Sequence, residues 1–144
     1  MSELNLETAR QIIQTTFEYG SKNNIKPLAV LVLDSGGHPL AFERQDGASA
    51  GRFAIANGKA YGAIMLGVGS RSLMSRAEHQ SYFVLAANGA FDGRVIPMPG
   101  GVLIRDENNN LLGAVGASGD TADNDEAALL ASIHSVGLVA DPGE

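Results

Sequence analysis

The 144 residues suit one domain spanning residues 1–144, and the absence of cysteine excludes disulfides, thiolate metal sites and cysteine nucleophiles. Ten Lys and Arg residues against 16 Asp and Glu residues give a formal charge of −6, and no three basic residues cluster, so a nucleic-acid partner is not expected. The N-terminus lacks a signal-peptide pattern and no apolar run approaches roughly 20 residues, which predicts a cytoplasmic protein without a membrane partner.

The first predicted elements are a helix and a hairpin. Apolar residues at steps of three and four predict an amphipathic helix over residues 6–22, with Asn5 as its N-cap. The apolar run 27–33 is typical of a strand that is buried on both faces. A glycine-containing turn at 34–39 then leads to a returning strand at 40–44.

Two further helices are predicted in the middle of the chain. One follows Gly47, with Ser49 as a candidate cap and an apolar face at Phe53, Ala56, Ala60 and Ile64. The other is predicted over about 72–86, separated from the first by the glycine-containing break at 66–70. A short extra strand is expected near 94–96.

The last third of the chain predicts a second hairpin and a final helix. Strands at 102–105 and 111–117 flank a polar turn at 106–110. The helix begins near residue 123 or 124 and ends at Gly137, and residues 141–144 form a short tail. Two hairpins favour a mainly antiparallel sheet, which helices on both faces would bury.

Several phrases occur in a characteristic order between residue 28 and the last helix. They are the segments 32–44, 46–48, 57–60, 99–101 and 112–119, followed by Asp125. This ordered set resembles the GlcG/HbpS-like family, also called haem-degrading or PduO C-terminal-like domains. The resemblance implies an α/β (α+β) profilin-like fold with a five-stranded, mainly antiparallel sheet flanked by helices on both faces. It also implies a homo-oligomer that binds a small ligand, haem among the ligands known for the family.

Two positions depart from the family pattern. Leu103 stands where the Gly-Gly-x-Pro-Ile phrase of the family has proline. Residues 6–22 contain no histidine, so the haem ligation that some members make through a histidine of the first helix is excluded here.

Lys59 is the foremost candidate site residue. It interrupts a helix face of small residues and belongs to the Lys-Ala phrase of the family. A lysine in such a setting can bind a carboxylate or a haem propionate, or act as an acid or base if burial lowers its pKa. A salt bridge to a structural aspartate is the equally open alternative.

A ligand pocket is predicted beside Lys59. Its other expected lining residues are Met98, Pro99, Gly100, Gly101, Gly113, Gly116 and Ser118. Prolines followed by glycines allow the backbone to approach a ligand closely, and Met98 would offer a soft apolar contact. The same segment could instead be a rigid crossover packed against a neighbouring subunit.

An acid–base site is the second hypothesis. Lys59 or His79 would move a proton, and Asp34 or Asp46 would orient it. For Asp34 the alternative is a turn cap, and Asp125 is interpreted as a cap of the last helix. The three histidines lack metal-ligand spacing, so no metal site is predicted.

Three functions are therefore open. The first is a cytoplasmic, homo-oligomeric protein that binds haem or a related small molecule. The second is a cofactor-free enzyme acting on a small carbonyl or carboxylate metabolite. The third is an accessory protein that works through its oligomer surface, with Lys59 in a structural ion pair and no enclosed pocket.

Overall fold

The computed structural model describes residues 3–144, which contain five helices and five strands. In chain order they are α1 (Leu6–Lys22), β1 (Ala29–Asp34), β2 (Pro39–Arg44), α2 (Arg52–Leu66), α3 (Ser70–His79), α4 (Ser81–Ala90), β3 (Gly101–Arg105), β4 (Leu111–Ser118), α5 (Ala122–Ser135) and β5 (Val139–Asp141). Among these residues, no helix combines the length and the apolar character needed to cross a membrane.

The strands form one sheet in the order β2-β1-β4-β3-β5, and every neighbouring pair is antiparallel. This confirms the predicted five-stranded antiparallel sheet and both hairpins. The fifth strand was placed wrongly. Residues 94–96 form no strand, because they run along α2, where the Ile96 N–H donates to the Gly58 carbonyl at 3.1 Å. The fifth strand is instead β5, Val139–Asp141, which pairs with β3 and overlaps the expected tail only at Asp141.

Helices cover both faces of the sheet, as predicted. Helices α1 and α5 pack on one face, where the core includes Ile12, Val30, Val115, Leu129 and Ile133. Helix α2 packs on the other face, against Leu31, Leu33, Leu103 and Ala114. A side chain at Gly116 or Gly101 would collide with the α2 backbone at Ala56 or Lys59, so these glycines allow α2 to lie directly on the sheet.

Helix boundaries follow the sequence signals in part. The Asn5 side chain caps α1 by accepting the Thr8 N–H at 2.9 Å, as predicted. Ser49 is not the cap of α2, since the N-cap is Gly51 and it makes no side-chain capping bond. The helix predicted over 72–86 is two helices, which meet at Gln80.

The break at Gln80 has a packing consequence. The turn allows Leu73 of α3 and Val84 of α4 to share a small core with Val95. No glycine or proline stands at residues 79–81, so a breaker signal is missing from the sequence at this point.

Candidate functional site

A cleft of about 200 Å³ opens at one end of the sheet. Three parts of the chain form it: the residues before β1, the segment from the end of β2 to the first turn of α2, and the end of β4. Its lining residues are Lys26, Pro27, Gly47, Ala48, Ser49, Arg52 and Gly119. Two of these side chains are cations, Lys26 exposed and Arg52 half-buried. None of the lining residues is acidic.

Side-chain hydrogen bonds fix one wall of the cleft, the backbone at the end of β4. Arg52 donates from Nη1 to Ser118 Oγ at 3.1 Å. Lys59 donates from Nζ to the Ala117 carbonyl at 3.0 Å. The Gly119 backbone follows directly, and a side chain there would collide with the Pro27 carbonyl, so the two walls of the cleft touch at this glycine.

Lys59 forms a buried ion pair behind this wall. Its Nζ lies 3.3 Å from Asp125 Oδ2, and the two side chains are only 2% and 1% exposed. Burial lowers the pKa of Lys59 and raises the pKa of Asp125, because both charged forms lose their hydration, while the attraction between the two groups opposes both shifts. The alternative interpretation of Lys59, a salt bridge to an aspartate, is confirmed.

The start of α5 differs from the prediction. Thr121 is the N-cap and accepts the Asn124 N–H at 3.1 Å. Asp125 lies in the first turn as expected but is not the N-cap, since its Oδ1 accepts the Asp120 N–H at 3.0 Å and its Oδ2 faces Lys59. The negative side chain of Asp125 can be buried because the Lys59 ammonium compensates its charge.

Asp120 connects the start of α5 to the residues before β1. Its carboxylate accepts the backbone N–H of Lys26 at 2.8 Å and that of Thr121 at 2.7 Å, as well as the Asn124 amide at 2.8 Å. These bonds, led by that from Lys26, lower the pKa of Asp120 to about 2. Asp120 therefore holds the backbone that carries the Lys26 side chain.

Of the other predicted lining residues, Gly100 and Gly101 lie against Lys59 and not in the cleft. Gly100 has φ +112°, and a side chain there would press on the Lys59 ammonium. Its carbonyl accepts the Ala117 N–H at 2.9 Å, and the Gly101 N–H donates to Ser70 Oγ at 2.7 Å. Pro99 is buried beside them, whereas Met98 is exposed.

Gly113, Gly116 and Ser118 are spread along β4. Gly113 lies near the far end of the strand, where a side chain would collide with the Leu33 carbonyl. Gly116 lies under α2, and Ser118 is the only one of the three that bonds to a residue lining the cleft.

The four acid–base candidates lie in separate parts of the fold. Asp34 is at the turn between β1 and β2, and Asp46 lies beyond the open end of the same hairpin. The five residue steps of β1 between these two ends span about 17 Å. His79 ends α3, with Nδ1 2.8 Å from the Ser75 carbonyl oxygen. Lys59 is enclosed with Asp125.

Asp34 acts as a turn cap, which confirms the alternative interpretation. Its Oδ1 accepts the His38 N–H at 3.0 Å and the Gly36 N–H at 2.9 Å. The backbone bond from His38 is the main cause that lowers the pKa of Asp34. Within residues 3–144, no three His, Asp or Glu side chains gather as a metal site would require.

Sequence reasoning missed Lys26 and Arg52 as lining residues. Neither belongs to a motif, and they are 26 residues apart in the chain. One signal was available. The first turn of α2 has no acidic residue and begins with Arg52, which is the reverse of the usual charge preference at a helix start.

Comparison with known proteins gives one family match. The family model described as "Haem degrading protein HbpS-like" matches residues 4–134 of the chain. No curated protein sequence matches.

Several solved structures share the fold. A PduOC–haem complex superposes with a TM-score of 0.84 at 19% identity, covering 96% of this chain and 98% of its own. Protein ORFY of Klebsiella pneumoniae, from the family DUF336, gives 0.82 at 26% identity, with 95% and 93% covered. HbpS of Streptomyces reticuli, as a double mutant, gives 0.77 at 22% identity, with 94% and 88% covered.

Proposed function

Because the chain belongs to the HbpS-like family, we propose that it is a small-ligand-binding protein whose ligand is haem or a related small molecule. The observation that carries the small-ligand part of the proposal is the cleft, where two cationic side chains line a cavity of about 200 Å³ in a protein of net charge −6, whereas haem enters through the family match. The structural similarity to a PduOC–haem complex supports the same class of function.

The cleft of one chain does not fit haem itself. Proteins hold haem iron through His, Cys, Met or Tyr, and none of these residue types lines the cleft. Its volume is also below the roughly 300–1,000 Å³ typical of pockets for drug-sized ligands. The cations suit the carboxylates of haem, but they equally suit the carboxylates of a much smaller molecule.

A haem iron would therefore have to take its axial ligand elsewhere on the surface. The exposed side chains of suitable type include His79, His134 and Met98. His38 is exposed as well and lies 3.3 Å from Asp34. None of these residues lines the cleft, so iron bound to any of them would lie outside it.

The proposal gives Lys59 and its neighbours a positioning role. Lys59 and Gly100 contact the end of β4, Ser118 at that end accepts from Arg52, and the Lys59 ammonium is directed at Asp125 instead of the cleft. The acid–base alternative, a cofactor-free enzyme, is not supported by any gathering of its four candidate residues.

We further propose a homo-oligomer in the cytoplasm. The absence of cysteine suits a reducing compartment. Helix α4 presents Tyr82 and Leu85 to solvent with 69% and 72% exposure, one helical turn apart, and a subunit contact on this face would bury both. Light scattering after size exclusion should give a mass that is a multiple of 14.9 kDa, and Leu85→Glu should reduce it.

The test of ligand binding has two parts. Purified protein is titrated with hemin while the Soret band is recorded, with His79→Ala, His134→Ala and Met98→Ala in parallel. A thermal-shift screen of small carboxylates and phosphates follows, because any ligand that binds only the folded state raises Tm. A saturable Soret shift, or a saturable rise in Tm, is the expected result. The absence of both would overturn the proposal and favour the accessory-protein hypothesis.

A further inference from the structure

We propose that the cleft is a binding site for a small oxyanion, a carboxylate or a phosphate, with Arg52 and Lys26 as its two anchoring cations. This inference rests on the proposed ligand-binding function and deepens it, since it names the chemical class that the cleft takes. It does not require haem.

The charges around the cleft support an anionic ligand. Neither of the two cations that line the cleft, Lys26 and Arg52, forms an ion pair with a carboxylate of residues 3–144. Two cations that line one concave surface create a positive potential there, which attracts an anion.

No neighbouring carboxylate of the described residues lines the cleft beside these two cations. Asp120, adjacent to Gly119, attracts Lys26 electrostatically, but it does not line the cavity, and its oxygens accept hydrogen bonds from the Lys26 backbone, Thr121 and Asn124. Asp46 is adjacent to Gly47 and is exposed, and it does not line the cavity.

Arg52 is held in position for the role. One arm of its guanidinium donates to Ser118 Oγ at 3.1 Å, which fixes the side chain against the wall. A guanidinium has five N–H donors in a planar fork, so the remaining donors can bind a carboxylate or phosphate in the two-point geometry that these anions favour. Ser49 adds an exposed hydroxyl to the lining.

The backbone at the start of α2 also carries a positive partial charge. Gly51 is the N-cap without a side-chain bond, and no acidic residue lies in the first turn. The N–H groups at this 15-residue helix's start carry a partial positive charge, which adds to that of the two side chains.

The wall is rigid because three buried or half-buried contacts converge on it. Lys59 holds Ala117, Arg52 holds Ser118, and Asp125 holds the Asp120 N–H. Anion binding therefore needs little reorganisation of the backbone, which lowers its entropic cost.

The test is an NMR titration of the full chain with inorganic phosphate and, separately, with succinate, at constant ionic strength set with sodium chloride. We expect saturable shifts of the backbone N–H signals of residues 26, 47–49, 52 and 119. Arg52→Gln and Lys26→Gln should each weaken binding roughly tenfold or more, as for the loss of a charge-assisted hydrogen bond. Saturation by phosphate alone, or by succinate alone, would identify which oxyanion the cleft takes.

Matched controls separate the site from general electrostatics. Arg10→Gln and Lys22→Gln remove the same charges from exposed positions on α1 and should leave the affinity unchanged. Ser49→Leu blocks the cleft while it keeps both cations, and it should abolish the shifts. Shifts that do not saturate with either anion, or that survive both Arg52→Gln and Ser49→Leu, would overturn the inference.

The outcome is distinguishable from failure of the proposed function. If the cleft binds neither anion while hemin still gives a saturable Soret shift, the oxyanion inference fails and the ligand-binding function stands. If neither hemin nor any compound of the thermal-shift screen binds, both fail together.

Discussion

Replacing Lys59 by methionine should destabilise the fold severely. Methionine has a similar length and fills the space of the lysine stem, but it removes the ammonium. The Asp125 carboxylate, 1% exposed, would keep only its hydrogen bond from the Asp120 N–H, and the Ala117 carbonyl would lose its Nζ donor.

The magnitude follows from the burial of both partners. Removing one member of a buried ion pair costs roughly 3–5 kcal/mol, because the other charge stays buried without compensation. The whole free energy of unfolding of a domain is about 5–15 kcal/mol. For a chain of this size that loss corresponds to a fall in Tm of roughly 10–20 °C. Asp125→Asn should cost less, because burial already lowers the pKa of Lys59 and so eases its loss of a proton.

The assay is urea unfolding followed by far-UV circular dichroism, since the chain has no tryptophan to report by fluorescence. Lys22→Met, at an exposed position of α1, is the matched control and should change stability by less than about 0.5 kcal/mol. The double variant Lys59→Met/Asp125→Asn should lose less than the sum of the two single losses, because the residues are in direct contact. A loss below about 1 kcal/mol for Lys59→Met, or strict additivity, would refute the assignment of a stabilising buried pair.

Two other predictions concern the backbone and acid stability. Gly116→Ala should lower Tm strongly, because the new side chain would collide with the Ala56 carbonyl of α2. Gly89→Ala, in an open part of α4, should raise stability by up to about 1 kcal/mol. Thermal melts of the two variants compare them directly. Asp120 has a folded pKa of about 2 against 3.8 when unfolded, so its contribution is complete above pH 3.8 and is lost as the pH falls towards 2. Asp120→Asn should therefore flatten the fall in urea midpoint between pH 4 and 2, and an unchanged slope would contradict this role.

The helices and hairpins were predictable from the sequence because their signals are local. The Asn5 cap, the turn built around Asp34 and the alternation of apolar runs with polar turns act within a few residues, and the structure confirms each of them. The antiparallel sheet follows from two hairpins, and the break after Leu66 follows from Gly67, whose φ of +74° suits glycine.

Shorter or context-dependent features escaped that reasoning. β5 has three residues, too few for a periodic pattern, and it exists because the edge of β3 is available to pair with it. The break at Gln80 has no glycine or proline to mark it. Leu73 before the break and Val84 after it share one small core with Val95, a tertiary contact that no local pattern shows.

The sequence alone determined the family phrases and the net charge. It also reduced the role of Lys59 to two hypotheses, a ligand contact or a structural ion pair. Only the tertiary structure decided that choice, because Asp125 lies 66 residues further along the chain and meets Lys59 only when α2 and α5 lie at the end of β4. The cleft was likewise undetermined, since Lys26, Arg52 and Gly119 come from three separate segments. Contacts between distant segments depend on the packed sheet and helices, and no local pattern of residues carries that information.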